Sequence, residues 1–249
     1  MEWLHQQYAL TALETVLLVV TSFAAGVFRG YTGFGSALAI APVLALAVGP
    51  RAAIAAILLV MMISSVQLLP GALRDVNWPV VSFLSIGGAI GIPIGALLLI
   101  WVDQELVRRS ISGIVIFFAI LLMTGWRYRG KIRPLMSALT GGLGGFISGI
   151  AASGGPAVII FLLAGTDSAA RNRAAIILYF TFTQVVGLLV YWFGSLITIK
   201  TLWISLPMLP PLILGTWIGE KMFGNTSDAL YRKVALSFLL VIGLSTFIA

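Results

Sequence analysis

The sequence predicts an all-α polytopic membrane protein, and three observations lead to that fold class. Of its 249 residues, 60% are hydrophobic and only 9% are charged, whereas a soluble domain carries about 25% charged residues. Uncharged runs approach or exceed the ~20 apolar residues that cross ~30 Å of hydrocarbon; they cover residues 76–102, 134–166, 174–199 and 201–219. These runs are continuous and do not alternate, so they do not fit the ~10-residue strands of a membrane β-barrel.

The composition also excludes several classes of function. No segment is long and polar enough for a soluble catalytic or nucleic-acid-binding domain, so we expect no nucleic-acid partner. The chain has no cysteine, which excludes disulfides, thiolate metal sites and iron–sulfur clusters. His5 is the single histidine, which excludes a histidine-based triad or metal cluster. We therefore expect no enzyme, no metal and no cofactor.

The chain reads as two transmembrane repeats, residues 1–126 and 134–249, joined by a basic linker at 127–133. The glycine-rich stretch 26–36 matches 145–155 after a shift of about 120 residues, and Arg-Ala-Ala-Ile at 51–54 recurs at 173–176. Gly-xxx-Gly at 91–95 is matched by the same pattern at 215–219, and Leu-Val-Arg-Arg at 106–109 by Leu-Tyr-Arg-Lys at 230–233. Four matches in the same order favour an internal duplication.

Each repeat contains about five apolar segments. They lie near residues 9–28, 34–48, 52–70, 78–101 and 110–126, and near 134–148, 155–165, 174–193, 201–219 and 234–249. In the second repeat the first two segments share about 31 residues, too few for two full spans at ~1.5 Å per residue. The pattern predicts short half-helices that meet in mid-membrane or form a re-entrant hairpin, giving eight or ten membrane segments. A broken pair in both repeats indicates a transporter's binding site.

The distribution of basic residues indicates how the repeats are oriented. The net charge of +7 lies entirely in the second half of the chain. If the repeats are inverted, ten basic residues are cytoplasmic and four are external, with Arg29 in the membrane; if they are parallel, six are inside and eight outside. Because basic loops stay in the cytoplasm, we expect inverted repeats with the 127–133 linker inside and both termini outside.

Arg29 is the first candidate site residue, because an arginine at membrane depth costs at least ~2.5 kcal/mol. It precedes Gly33 and Gly35, which allow close backbone approach, and Ser36, a candidate N-cap for the next helix. The free amides of a helix start bind anions. Arg29 is therefore either an anion ligand or a structural arginine that snorkels to the interface or bonds loop carbonyls.

The second repeat has a similar pattern of a cap residue and glycines at a helix start, but without the arginine. Ser153 is a candidate cap, Gly154 and Gly155 are permissive, and Pro156 suits a first helical turn. Two helix starts pointing at the midplane from opposite sides would form a pocket for an anion. Alternatively, the small residues of these stretches only allow close helix packing, as we expect for the Gly-xxx-Gly pairs at 91–95 and 215–219.

Other polar residues in the apolar segments have two readings. A stripe on the third segment of each repeat either bonds neighbouring helices or lines a pathway: Ser64, Ser65 and Gln67, and Thr181, Thr183 and Gln184. Glu14 lies about one turn into the first helix, where it reaches the interface or couples a proton.

The two glycine motifs resemble those of the sulfite exporter TauE/SafE family of bacterial inner-membrane permeases. Arg29-Gly-Tyr-Thr-Gly-Phe-Gly-Ser-Ala-Leu, followed by Pro42, is similar to the first family motif, and residues 141–149 leading into Ser-Gly-Gly-Pro at 153–156 are similar to the second. The resemblance covers essentially the whole chain. Two features depart from the commonest pattern: Gly33-Phe34-Gly35-Ser36 replaces a Gly-Gly-Gly core, and Arg29 replaces a small residue.

The resemblance implies a multi-pass protein of the bacterial cytoplasmic (inner) membrane that moves sulfite, sulfoacetate or related organosulfur anions. We expect a secondary transporter that works by alternating access, with export as its direction, a small anionic substrate and a lipid environment. Uptake would need a coupled proton or cation. The alternatives are an anion channel, a transporter of another small organic anion, and a membrane scaffold that transports nothing.

Overall fold

The computed structural model describes residues 11–48, 50–98, 113, 116–117, 119–128, 130, 132–151, 155–193 and 197–248. These residues form helices and short turns without any strand, which confirms the all-α prediction. Ten helices are labelled here in chain order: α1 Ala12–Thr32, α2 Ser36–Val48, α3 Pro50–Asp75, α4 Trp78–Leu98, α5 Pro134–Ala151, α6 Gly155–Ala164, α7 Ala169–Phe193, α8 Ile199–Ser205, α9 Leu209–Phe223 and α10 Asp228–Ile248.

Helix lengths agree with a membrane protein. Five stretches are long and apolar enough to cross a bilayer: Ala12–Thr32, Ala55–Asp75, Trp78–Gly95, Ala169–Phe193 and Ile199–Phe223. The last combines α8, α9 and the 3₁₀ turn Leu206–Met208 between them. Large apolar side chains also stay on the surface, as Phe193 does with 82% exposure. Such a surface suits hydrocarbon surroundings, which have no water to exclude it.

The broken pairs differ in part from the prediction. α2 has 13 residues and α6 has 10, so both fall short of the ~20 that span a bilayer. Their partners α1 and α5 have 21 and 18 residues. The expectation of half-helices therefore holds for the second helix of each pair. It does not hold for α1, which is long and apolar enough to cross a bilayer, whereas α5 is not one of the five such stretches. Six of the seventeen residues of the segment expected near 110–126 lie outside the described residues.

The helices divide into two compact units. The first contains α1, α2, α3 to Leu68, and the chain from Gln184 through α8 and α9 to Asn225. In this unit α1 begins with a capping box, since Glu14 accepts from the Thr11 N–H at 2.8 Å and the Thr11 hydroxyl accepts from the Glu14 N–H. Capping accounts for the position of Glu14. The core of the unit is apolar and is built from α1, α2, α3, α8 and α9.

Glycines bring α1 and α9 into backbone contact within this first unit. A Cβ at Gly30 would overlap the Thr216 carbonyl oxygen, and one at Gly219 would overlap that of Val27. A Cβ at Gly26 or Gly215 would also overlap a carbonyl oxygen of the facing helix. The packing role expected for the 215–219 pair is confirmed.

The second unit contains the chain from Leu69 to Thr183 together with α10. Here α4 and α5 pack through glycines: a Cβ at Gly91 would overlap the Gly142 carbonyl oxygen, and one at Gly141 would overlap that of Leu84. The packing role expected for the 91–95 pair is confirmed as well. Asp228 of α10 caps α7, because its carboxylate accepts from the Ala169 N–H at 2.7 Å.

The close helix pair of each unit is formed by corresponding segments of the two repeats. The first unit pairs the first segment of repeat one with the fourth of repeat two, and the second unit pairs the first segment of repeat two with the fourth of repeat one. Each compact unit thus combines helices from both sequence halves. This correspondence is what a duplication would produce, although the repeats and their inversion remain predictions.

Candidate functional site

Two glycines form the turn that joins α1 to α2 in the first unit. Gly33 ends α1 with φ 88°, and its N–H donates to the Arg29 carbonyl at 2.6 Å. Gly35 has φ 92°. Both conformations are left-handed, which costs other residues roughly 1–2 kcal/mol. The turn therefore requires the glycines, and it places the start of α2 next to the last turn of α1.

We expect Gly35→Ala to lower the free energy of unfolding by roughly 1–2 kcal/mol, because Ala at φ 92° is strained. Thermal unfolding in detergent, followed by tryptophan fluorescence, measures this change. Gly187→Ala is the matched control, since Gly187 is helical and an added Cβ would make ordinary contact with Leu58 at 3.6 Å. Equal melting temperatures for Gly35→Ala and wild type would contradict the strain argument.

Arg29 lies in the last turn of α1 and is only 2% exposed. Its Nη2 donates to the Ser65 hydroxyl at 2.5 Å and to the Met61 carbonyl at 3.5 Å. Its Nη1 contacts the Met61 Sδ at 3.7 Å. The side chain does not reach the protein surface, and its carbonyl partner is in α3, not in a loop. Arg29 therefore does not snorkel, and it bonds a helix carbonyl where the structural alternative expected loop carbonyls; its role as an anion ligand stays a prediction.

The charge of Arg29 has no counterion among its partners in the described part of the chain. The partners are a hydroxyl, a carbonyl and a thioether, all of them neutral. Its buried Nε has no hydrogen-bond partner. Removing a charge from water costs several kcal/mol unless an opposite charge compensates it. The Arg29 side chain therefore combines a positive charge that has no counterion with a donor that has no acceptor.

Ser36 is the first residue of α2, so Gly35 occupies the N-cap position expected for Ser36. The Ser36 hydroxyl is fully buried and donates to the Met61 Sδ at 2.7 Å. Arg29 and Ser36 thus converge on the same sulfur atom. Met61 is a residue that sequence analysis missed, because a methionine in an apolar helix carries no signal of a site.

A second row of hydrogen bonds holds Ser65, the other partner of Arg29. The Ser65 hydroxyl donates to Gln184 Oε1 at 2.6 Å, and thereby links α3 to α7. Nearby, Ser64 bonds Thr216 at 3.1 Å and Gln67 donates to the Ile213 carbonyl at 3.1 Å. These residues do bond neighbouring helices, as one reading of the polar stripe expected. Thr181 and Thr183 instead bond carbonyls of their own helix.

The second glycine motif is only partly described. Ser153 and Gly154 lie outside the described residues. Gly155 is the first residue of α6 and Pro156 the second, as expected for a proline in a first turn. A Cβ at Gly155 would come within 2.8 Å of the Phe180 ring, so close packing explains this glycine. Binding by the second motif remains a prediction.

Arg173 is a buried basic residue near the start of α7. It lies in the second turn of this helix and is 6% exposed, and the charge count places it on the cytoplasmic side if the repeats are inverted. Arg127, in the 127–133 linker, lies outside the helices. The orientation of the repeats stays a prediction.

Comparisons with known proteins identify the family of this chain. The sulfite exporter TauE/SafE family matches residues 18–246. A protein of Cupriavidus necator, named as a probable sulfite/organosulfonate exporter TauE, is 28% identical over 230 residues, which cover 88% of each chain. No solved structure matches. With the family match extending over nearly all of its length, this chain belongs to the TauE/SafE sulfite exporter family of membrane transporters.

Proposed function

We propose that this protein exports sulfite or organosulfonate-type anions across the bacterial cytoplasmic membrane as a secondary transporter. The observation that carries the proposal is Arg29, a buried guanidinium whose partners are all neutral and whose Nε is unpaired. Family membership supports a transporter. The Cupriavidus necator relative is named for the same class of anion.

The substrate would be held at the junction of α1 and α2. Arg29 supplies charge and donors, Ser36 supplies a hydroxyl, and the glycines at 33 and 35 leave room for an anion to approach the backbone. The first amides of α2 add the partial positive charge of a helix start. The helix start at Gly155 and Pro156, preceded by Ser153 and Gly154, is proposed to serve the second half of the chain in the same way.

The membrane potential favours the outward direction. Moving one negative charge out of a cell with a negative interior gains ~2.3 kcal/mol per 100 mV. Export of a monoanion therefore needs no coupled ion, whereas uptake would. Alternating access is the proposed mechanism, in which the substrate is exposed first to one side and then to the other.

A thermal-shift screen in detergent tests the substrate class. We expect sulfite and sulfoacetate to raise the melting temperature, because a ligand that binds only the folded state stabilises it. Taurine, sulfate and short carboxylates are screened in parallel at equal ionic strength, with potassium chloride as the salt control. A response to carboxylates alone would contradict the organosulfur assignment, and no response to any anion would support a scaffold.

Counterflow in proteoliposomes separates a transporter from a channel. Vesicles loaded with unlabelled sulfite should accumulate external ³⁵S-sulfite transiently, because a carrier exchanges substrate across the membrane. Protein-free vesicles provide the background. Flux that does not saturate and shows no counterflow would indicate an anion channel instead.

A further inference from the structure

We propose that the Met61 thioether occupies the position of a substrate oxygen and that anion binding displaces it. The inference rests on the proposed function and deepens it, since it assigns a residue that controls affinity at the Arg29 site. Met61 is then a plug: it fills the binding position when no anion is present, and it leaves when one enters.

The contacts of Met61 single out this residue. Arg29 Nη1 and the Ser36 hydroxyl both reach its Sδ, at 3.7 and 2.7 Å. These donors come from opposite sides of the glycine turn, from the end of α1 and the beginning of α2. The Met61 sulfur is thus the shared partner of the two side chains that are expected to bind the anion. Their point of convergence is where an acceptor atom of a ligand would sit.

The chemistry of sulfur makes this contact exchangeable. A thioether is a weak, neutral acceptor, so it compensates neither the charge of Arg29 nor its burial. Hydrogen bonds from a guanidinium to an anionic oxygen are roughly twice as strong as neutral ones. An oxyanion therefore offers both donors a better partner than Met61 does. A neutral solute offers no such gain, so the plug favours anions.

The Met61 side chain can leave without moving α3. Methionine is unbranched and has three rotatable bonds, which lets it adapt to irregular space. Its backbone carbonyl remains a partner of Arg29 Nη2 at 3.5 Å. Met61 is also only 1% exposed, so the thioether fills space that would otherwise be open. The helix stays in place while the side chain yields the position.

Two substitutions test the plug because they should move affinity in opposite directions. Met61→Gln keeps the length of the side chain but offers an amide oxygen, a stronger competitor for Arg29. We expect it to raise the Kd for sulfite about tenfold, as expected for one added hydrogen bond that must be broken. Met61→Ala removes the plug and should lower the Kd about three- to tenfold. Isothermal titration with sulfite measures both.

Met208→Ala is the matched control, since Met208 is a fully buried methionine that belongs to the same apolar core as Met61 but is not the residue that Arg29 and Ser36 contact. It should lower the melting temperature and leave the sulfite Kd unchanged. A purely structural Met61 would behave like Met208. Shifts of the same sign in Met61→Gln and Met61→Ala, or no shift in either, would overturn the proposal.

A measurement on the unaltered sequence covers the case in which a variant fails to fold. Protein labelled with ¹³C at the methionine methyls gives one signal for each of its seven methionines, and Met61→Leu assigns that of Met61. Saturating sulfite should shift the Met61 signal and leave that of Met208 in place. If sulfite binds and Arg29→Ala abolishes binding while the Met61 signal stays still, the plug is wrong and the proposed function stands. If sulfite does not bind at all, the proposed function itself is contradicted, and the plug with it.

Discussion

Replacing Arg29 by methionine is expected to reduce sulfite flux by about 100-fold or more, because truncating one partner of a buried charge pair costs 2–5 kcal/mol. The same substitution should raise the melting temperature measured without substrate. Met fills much of the space of Arg and removes a buried charge that lacks a counterion, and such replacements are often stabilising. Flux is measured with ³⁵S-sulfite in proteoliposomes, and stability is measured by tryptophan fluorescence in detergent.

Two further variants show whether the charge itself or its geometry matters. Arg29→Lys keeps the charge but loses the planar fork that binds an oxyanion through two donors, so we expect partial flux. Arg171→Ala is the matched control: Arg171 is 60% exposed and pairs with Asp167 at 3.7 Å, and its loss should leave flux unchanged. Wild-type flux in Arg29→Met would remove Arg29 from the binding site.

Gly141→Ala is expected to lower the free energy of unfolding by about 1–3 kcal/mol, the usual cost of overpacking a close contact. Its Cβ would overlap the Leu84 carbonyl oxygen, and a rigid backbone atom cannot rotate away as a side chain would. α4 and α5 must then move apart. A drop in melting temperature, followed by tryptophan fluorescence in detergent, measures the effect.

The neighbouring Gly142 provides a matched control, because it lies in the same helix but its Cβ would point in a different direction. A Cβ at Gly142 has the Gly87 carbonyl oxygen as its nearest neighbour, at 3.8 Å, which is an ordinary contact. Gly142→Ala should therefore be neutral or stabilising by up to ~1 kcal/mol, the gain of Ala over Gly in a helix. Equal destabilisation by both substitutions would show that the overlap with the Leu84 carbonyl oxygen at the crossing of α4 and α5 does not determine the cost.

Much of the fold could be predicted because its signals are local. Hydrophobic runs located the helices wherever the chain is described, and Gly91-xxx-Gly95 and Gly215-xxx-Gly219 identified the close crossings. Helix ends were less predictable. α7 begins at Ala169, five residues before the apolar run, and two side chains cap it: the Ser168 hydroxyl accepts from the Arg171 N–H at 3.4 Å and the Asp228 carboxylate accepts from the Ala169 N–H at 2.7 Å. The Ser168 cap is local, but no reading of neighbouring residues finds the Asp228 cap, which comes from α10.

The candidate site could be predicted only in part, for a similar reason. A charged residue in an apolar segment is conspicuous, so Arg29 was found, and the glycines beside it marked the turn. Met61 and Ser65 were not assigned to that site, because their importance depends on which face of α3 meets α1. Gln184 was recognised as polar, but its bond to Ser65 across more than 100 residues depends on tertiary packing.

The exchange of helices between the two sequence halves sets an order of assembly during synthesis. α4 meets its glycine partner α5 after a short delay, because only residues 99–133 separate the two helices. α1 leaves the ribosome first but must wait for α9 near the end of the chain. The crossing of α4 and α5 can therefore form while the chain is still growing, whereas the crossing of α1 and α9, beside Arg29, forms only once α9 has been made. Until then the glycine face of α1 lacks the helix that packs against it.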